Sequence, residues 1–342
     1  MSHLKKKINF FKNRILLNRD YYRGRVNLGA YPCEITLELT NKCNLDCIFC
    51  PHGKMKRPQG FMQFSLFKKI IDEVSGVIEC VDLDLMGEST LHPQISEMIA
   101  YCKSAGLKAV LNSNMAKVDR KLAESLIASG LDILVMSIDG VKKQTYEGLR
   151  RGASFEETKN NIHSLLQLEP SGLYKVVQMV YVVNNKEEAG EFIRQWRNKG
   201  ANFIRIQPYQ NVDKQNTQLN AISALPKSKR RPCIHPWRKM AICWDGTAVG
   251  CCNDYDKFQT IGDANIENVL DIWNGDNMQE LRKRLVEGSF NESALCQKCF
   301  LFDPGNMIIW GSVFLSPVNI RKLLFIFERL MVFNRLYLFR YF

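Results

Sequence analysis

The sequence predicts an α/β fold, a partial (β/α)6 TIM-like barrel followed by a small cysteine-rich module. Short β-rich runs alternate with runs of helical period from Glu34 to about Gln207, the order expected when helices link parallel strands. The residues with the most chemical potential fall at the ends of the β-rich runs. Cysteines gather in two separate groups, one at 43–50 and one between 233 and 299. With 342 residues, 46% hydrophobic and 24% charged, the chain can fill one large core and a smaller one.

Strands are predicted near Glu34 to Leu39, Val81 to Met86, Lys108 to Leu111, Ile133 to Ile138, Tyr174 to Val182 and Phe203 to Gln207. Between them, helical patterns run from Ser65 to Val77 with Ser65 as cap, from Pro93 to Ala105 opened by its proline, from Arg120 to Ser129 and from Glu187 to Lys199. Parallel βα folds place their chemistry at the C-terminal ends of the strands. There lie the Cys43 loop, Gly87-Glu88, Asn112-Ser113-Asn114, and Ser137 with Asp139. The organisation read from the chain is a basic segment at 1–30, a core at 31–210, a polar aperiodic linker at 211–232, a cysteine-rich module at 233–315 and a basic amphipathic tail at 316–342. No fixed-period repeat or low-complexity tract is present.

The net charge of +12 suggests nucleic acid at first sight, but its distribution does not. Residues 1–29 hold eight Lys/Arg against Asp20 alone, and residues 316–342 hold five against Glu328 alone, so the body is close to neutral. A basic groove through the core is not indicated, and nucleic acid is not an expected partner. The opening MSHLKKKINFF lacks the apolar core of a signal peptide, which predicts a cytoplasmic protein without a disulfide framework and makes metal binding the better use for many of twelve cysteines. In the tail, charges at 321, 328 and 335 with apolar runs between them predict an amphipathic helix too short in its uncharged stretches to span a bilayer. Both basic ends suit peripheral contact with an anionic membrane surface, or with a membrane-bound partner or substrate. Packing of the tail on the barrel is the competing reading.

Cys43, Cys47 and Cys50 form a CxxxCxxC loop directly after a predicted strand. Three thiolates can wrap a cubane and leave its fourth iron without a protein ligand, and an open metal position is what binds a substrate. A zinc site completed by His52 is the alternative. The pattern resembles the radical S-adenosylmethionine (SAM) superfamily. That resemblance implies that Cys43, Cys47 and Cys50 hold a SAM-binding 4Fe-4S cluster, with Phe49 as the aromatic residue before the last cysteine. It further implies SAM contacts from Gly87 and Glu88, from Ser137 and Asp139, and from an arginine at Arg150 or Arg151. Met86 stands where the family usually has a second glycine, and Ser89-Thr90 replaces a frequent proline, so the first of these contacts is expected to be altered.

The second group reads C-x12-G-x4-C from Cys233 through Gly246 to Cys251, followed by Cys296-Gln-Lys-Cys299. Four thiolates close a site completely. This resembles the SPASM/twitch extension of radical SAM enzymes in its one-cluster form, which implies an auxiliary 4Fe-4S cluster held by Cys233, Cys251, Cys296 and Cys299. Cys252 competes with Cys251 for that role, Cys243 lies in the same module, and zinc is again the alternative. Trp237, Trp244 and Trp273 are expected to form the core of a small two-strand unit around the cluster, while Cys33, Cys80 and Cys102 read as packing residues.

Taken together, the resemblances imply a radical SAM oxidoreductase that cleaves SAM reductively and abstracts a hydrogen atom, from an alcohol of a sugar or amino-cyclitol. It would draw electrons from a donor such as flavodoxin or ferredoxin. Modification of a ribosomally made peptide is the second enzymatic reading. A non-catalytic zinc or iron-sulfur interaction protein is the third.

Overall fold

A computed structural model describes residues 3–169, 172–209, 217–219, 232–289, 295–296, 318–319, 321–323 and 326. An N-terminal helix, α1 (His3–Tyr22), precedes a run of parallel strands: β1 (Glu34–Leu37), β2 (Cys80–Asp82), β3 (Lys108–Ser113), β4 (Ile133–Ser137), β5 (Tyr174–Tyr181) and β6 (Phe203–Pro208). They pair in chain order. Helices α2 (Phe64–Val74), α3 (Ile95–Ser104) and α4 (Arg120–Ala128) link the first four strands. Helices α5 (Lys143–Leu149) and α6 (Phe155–Gln167) both lie between β4 and β5, and α7 (Ala189–Trp196) leads into β6. All six predicted strands are present, in a mixed α/β fold with a large parallel sheet.

Helix starts differ from expectation for local reasons. Phe64 stacks on Phe67 and begins the apolar face, so α2 starts before Ser65, and its cap position, Gln63, makes no side-chain bond. Pro93 precedes α3 rather than opening it. His92 Nδ1 accepts the Gln94 N–H at 3.1 Å and takes over the capping. The segment expected to form one helix from Glu187 is a 3₁₀ stretch at Val183–Glu188 that turns into α7. Helix α6 carries a legible cap, since Ser154 Oγ accepts the Glu157 N–H at 3.4 Å.

The sheet separates two apolar layers. Leu111, Leu134, Met136 and Val177 face the helices and join the main core. Cys80, Val110, Ile133, Val135 and Val176 face the barrel lumen as a second cluster. Along β1 the same alternation turns Thr36 toward the lumen, and Ile35 and Leu37 toward the helices.

The cysteine-rich module is fused to this sheet rather than separate from it. Strand β7 (Lys239–Ile242) pairs parallel with β1, from Glu34 opposite Lys239 to Leu37 opposite Ile242. Strands β8 (Thr247–Val249) and β9 (Thr260–Asp263) continue antiparallel, giving nine strands in the order β9-β8-β7-β1-β2-β3-β4-β5-β6. The expected two-strand unit is thus three-stranded. It covers the edge of β1 that an open barrel would leave unpaired. Helices α8 (Val269–Asn274) and α9 (Asp276–Val286) complete the module. The linker lies outside the described residues except at 217–219 and 232, and so does most of the tail. The described start of the tail packs on the barrel: Arg321 pairs with Asp82 at 2.5 Å, Lys322 lies over the Tyr174 ring at 3.9 Å, and Val318 joins the lumen cluster.

Candidate active site

The loop after β1 is built by backbone geometry and a few buried polar groups. Cys47 sits in a two-residue strand at Asp46–Cys47 that pairs antiparallel with Arg150–Arg151, bringing the first cysteine group beside the end of α5. Burial pushes the thiols of Cys43, Cys47 and Cys50 up to about 11. Each therefore needs a positive partner before it can stand as a thiolate. Around one tetrahedral zinc, sulfurs would lie about 3.8 Å apart. Among the described residues, three such donors gather within 4.8 Å of one another at Glu34, Cys80 and Asp82. The alternative fourth ligand, His52, has Nε2 at 2.7 Å from the Asn41 carbonyl, a contact that a metal-binding imidazole also commonly makes with its outer nitrogen.

The two arginines of the predicted pair differ. Arg151 is exposed, whereas Arg150 is buried, donates from Nε to Asp139 Oδ2 at 2.6 Å and lies over the Phe49 ring at 5.6 Å. Burial opposes its charge, but Asp139 and the Cys47 thiol outweigh it and hold the guanidinium protonated. Asp139 is fully buried, and its other oxygen accepts the Val180 N–H at 2.7 Å, so in this structure it orients Arg150 and β5. Phe49 packs in a small apolar cluster with Leu149, Val182 and Leu219. Ser137 ends β4 in the lumen and continues a hydrogen-bonded row, Gln178 donating to Ser137 Oγ at 3.2 Å and Arg205 donating to Gln178 at 2.7 Å.

Gly87 has φ +85°, and a Cβ there would lie 2.6 Å from the Thr40 carbonyl. Only glycine lets this loop approach the loop of Cys43 so closely. The Glu88 N–H donates to the Lys42 carbonyl at 2.8 Å, and its carboxylate accepts the Thr90 hydroxyl at 2.6 Å and the Asn114 N–H at 2.7 Å. Asn114 then donates to Asn44 at 3.0 Å and stands 4.0 Å from Cys43 Sγ. The predicted loops at the ends of β1, β2 and β3 thus meet around Cys43. Asn112 instead meets Asp84, whose carboxyl is pushed up to about 7 by burial and by the Asp82 charge.

In the module, Gly246 (φ +92°) makes the β7–β8 turn, where a Cβ would collide with Asn265. Cys251 accepts the Asn253 N–H at 3.4 Å and feels the charge of Cys233, while Cys252 stands 3.6 Å from His235 Nδ1. The Cys251 thiol, Lys239 and His235 together favour the thiolate on Cys252. Gln259 donates to Cys296 Sγ at 3.6 Å, and Cys299 lies outside the described residues. Cys243 is buried against Ala241, Val249 and Leu85 and is not part of this group. Trp237 and Trp273 are core residues whose indole N–H groups donate to the Arg25 and Ala30 carbonyls. Trp244 instead lies against Gly60 and donates to the Pro58 carbonyl at 3.3 Å.

That contact belongs to a hub that the sequence reading missed. Buried Glu38 accepts both terminal nitrogens of Arg57, one at 2.6 Å, along with the Trp244 N–H at 3.2 Å and the Met86 N–H at 3.3 Å. Arg57 Nε donates to the Tyr255 carbonyl at 2.7 Å, and the Lys56 and Arg57 N–H groups both reach Asp256. One ion pair thus ties the loop after the first cysteine group, the Gly87 loop and the module. Its one sequence signal is the Glu34-Thr36-Glu38 alternation in β1.

Residues 37–195 match the model of the radical SAM superfamily, and residues 233–300 match that of an iron-sulfur cluster-binding domain, SPASM. The chain carries a radical SAM domain and a SPASM domain. Its cofactors are SAM and two 4Fe-4S clusters, one SAM-binding and one auxiliary. Among curated relatives, the chain is 32% identical over 136 residues to the AdoMet-dependent heme synthase of Methanosarcina barkeri, covering 39% of each protein. It spans 39% and 33% of the lengths of that relative and of the Fe-coproporphyrin III synthase from the same organism. Among solved structures, BtrN in complex with AdoMet and 2-DOIA is 17% identical with a TM-score of 0.55, over 78% of this chain and 92% of BtrN. Streptococcus suis SuiB bound to its precursor peptide SuiA is 15% identical with a TM-score of 0.64, over 83% of this chain and 72% of SuiB. These two likenesses bear on the fold of this radical SAM protein. Among the described residues, no helix is long and apolar enough to cross a membrane.

Proposed function

We propose that this protein is a radical SAM oxidoreductase in which Cys43, Cys47 and Cys50 hold the SAM-binding cluster and Cys233, Cys251, Cys296 and Cys299 the auxiliary one. The observation that carries the reading is the convergence of the loops after β1, β2 and β3 on the half-buried thiols of the first cysteine group. When bound, SAM and the reduced cluster supply a 5'-deoxyadenosyl radical that abstracts a hydrogen atom. The chain's own groups bind and orient. Arg150, held by Asp139, presents a fixed positive charge for the SAM carboxylate. Gly87 lets backbone approach the amino group, and Glu88 braces Asn114 against the Cys43 loop. Ser137 offers a hydroxyl at the lumen. Phe49, Leu149 and Val182 keep water from the radical. The core at 31–210 and the module at 233–315 act as one unit through the shared sheet and the Glu38–Arg57 pair.

The substrate proposed is an alcohol of a sugar or amino-cyclitol. Support comes from the cysteine pattern of the module, read as the one-cluster form, in which a bound cluster would accept the electron left after proton loss, and from structural likeness to BtrN. A small ferredoxin or flavodoxin is the proposed electron donor. Peptide modification is the second reading, favoured by the likeness to SuiB in complex with a peptide. The test is anaerobic incubation with SAM, a reductant and deuterated candidate sugars or peptides. Label appearing in 5'-deoxyadenosine from a sugar and not from any peptide supports the first reading, and the reverse supports the second.

A further inference from the structure

The carboxylates in the lumen and in the loops above it are nearly all held in place. Glu34 lies 3.5 Å from Lys239, Asp82 pairs with Arg321 at 2.5 Å, Glu38 with Arg57 and Asp139 with Arg150. Glu88 has both oxygens engaged, one by Thr90 and the other by the Asn114 N–H. Asp84 differs from all of them. Among the described residues its side chain accepts from the neutral amide of Asn112 alone, at Oδ2, which leaves Oδ1 open to a ligand.

The register of the sheet sets where that oxygen lies. Asp84 stands two residues beyond Asp82, in the stretch just past β2, so it falls on the same lumen side and opposite Asn112, itself two residues beyond the lumen residue Val110. Toward the N-terminal ends of the strands the lumen is filled by Val110, Ile133, Val135 and Val176, and on β4 to β6 the row of Ser137, Gln178 and Arg205 lies above that filling. Asp84 is half-buried there rather than sealed in the core. The same stretch of chain also runs between the two cysteine groups. Glu88 donates to the loop of Cys43, while Leu85 packs on Ala241, Cys243 and Val249 of the hairpin that leads to Cys251.

We propose that Asp84 is the catalytic base, which takes the hydroxyl proton of an alcohol bound in the lumen. The proposal rests on the alcohol-oxidising reading above and supplies the residue that reading lacks. In the step, the carbinol C–H bond breaks and its hydrogen atom goes to the 5'-deoxyadenosyl radical. The O–H bond breaks and its proton goes to Asp84 Oδ1. The electron that remains passes to the oxidised auxiliary cluster as the C=O bond forms, so the alcohol loses two protons and two electrons. A base serves best when it titrates near the working pH. Burial and the Asp82 charge push the Asp84 carboxyl up to about 7, with Arg321 and Lys239 opposing the rise and Cys252 adding to it.

The experiment is anaerobic turnover of the reconstituted full chain with SAM, dithionite and carbon-deuterated D-glucose, D-glucosamine or scyllo-inosamine, comparing wild type with Asp84→Asn. The variant is expected to move deuterium into 5'-deoxyadenosine but to form ketone about a hundredfold more slowly or less, and Asp84→Glu to recover part of the loss. In the wild type, ketone formed per 5'-deoxyadenosine should fall as pH drops through about 7. Apart from turnover, infrared absorption of the reconstituted protein without substrate should show a carboxyl that loses its proton near pH 7 in the wild type and is missing from Asp84→Asn. Ketone formation by Asp84→Asn at the wild-type rate, loss of label transfer together with ketone, a ratio that ignores pH, or no carboxyl titrating near 7 would overturn the assignment. Failure of the wild type to transfer label from any alcohol overturns the substrate reading and the base with it, whereas label transfer with a fully active Asp84→Asn removes Asp84 alone.

Discussion

The two cysteine groups of this radical SAM protein are set in different surroundings. The first lies in one loop at the end of β1, and the loops at the ends of β2 and β3 close over it through Glu88 and Asn114. The second, proposed at 233, 251, 296 and 299, is drawn from distant positions, and Cys251 and Cys252 follow a hairpin that completes the sheet on the other side of β1. A three-thiol loop leaves room for a substrate ligand on the metal, whereas a four-thiol set drawn from distant positions is closed. Strand β1 stands between them, and the Glu38–Arg57 pair fastens both to it.

Removing the open site should have the largest effect. Cys43→Ala, Cys47→Ala or Cys50→Ala should abolish formation of 5'-deoxyadenosine, measured by chromatography after anaerobic reduction. Cys251→Ala should leave that cleavage and abolish product formation from the substrate, while Cys252→Ala should retain both. Loss of SAM cleavage in Cys251→Ala would break the division of labour between the sites.

Next in size is the fastening. Arg57→Met leaves the Glu38 carboxylate buried without its cation and should cost about 4 kcal/mol of stability, read from urea unfolding. A change below about 1 kcal/mol would mean that the pair does not hold the two regions together. Arg321→Leu should cost somewhat less, about 3 kcal/mol, because Lys239 remains 3.5 Å from Glu34 when the Asp82 partner is lost.

The smallest effect expected is one of pH. The folded Asp84 carboxyl, pushed up to about 7 by burial and by Asp82, binds a proton well above the unfolded value of about 3.9. Between those limits the folded state holds more protons than the unfolded one. Asp84 therefore adds stability as pH falls from about 8 to 5 and loses it as pH rises through 7. Asp84→Asn should flatten this part of the stability profile, and an unchanged profile would remove Asp84 from the account.

What the sequence made legible was local. The six strands follow from short-range pattern, and the first cysteine group from spacing, because a loop that must wrap a metal keeps its ligands within a few residues; the second group, spread over distant positions, was legible only through its resemblance to a known pattern. Helices α5 and α6 were missed although Ser154 and Glu157 carried a readable cap. What depended on pairing across the chain was not legible. Nothing in the hairpin at 239–249 says that it pairs with β1, some 200 residues earlier. The partners of Glu38 come from residues 57, 86 and 244, and Arg321 finds Asp82 from the far end. Sequence left Arg150 and Arg151 equal, and only the structure shows that the first is buried and the second exposed.

The central claim is that one chain holds two clusters with different duties, and iron stoichiometry after anaerobic reconstitution tests it most directly. Wild-type protein should bind roughly eight irons and Cys43→Ala roughly four, with 5'-deoxyadenosine formed by the first and not by the second. Tightly bound zinc in place of iron, with no 5'-deoxyadenosine from the wild type, would contradict it.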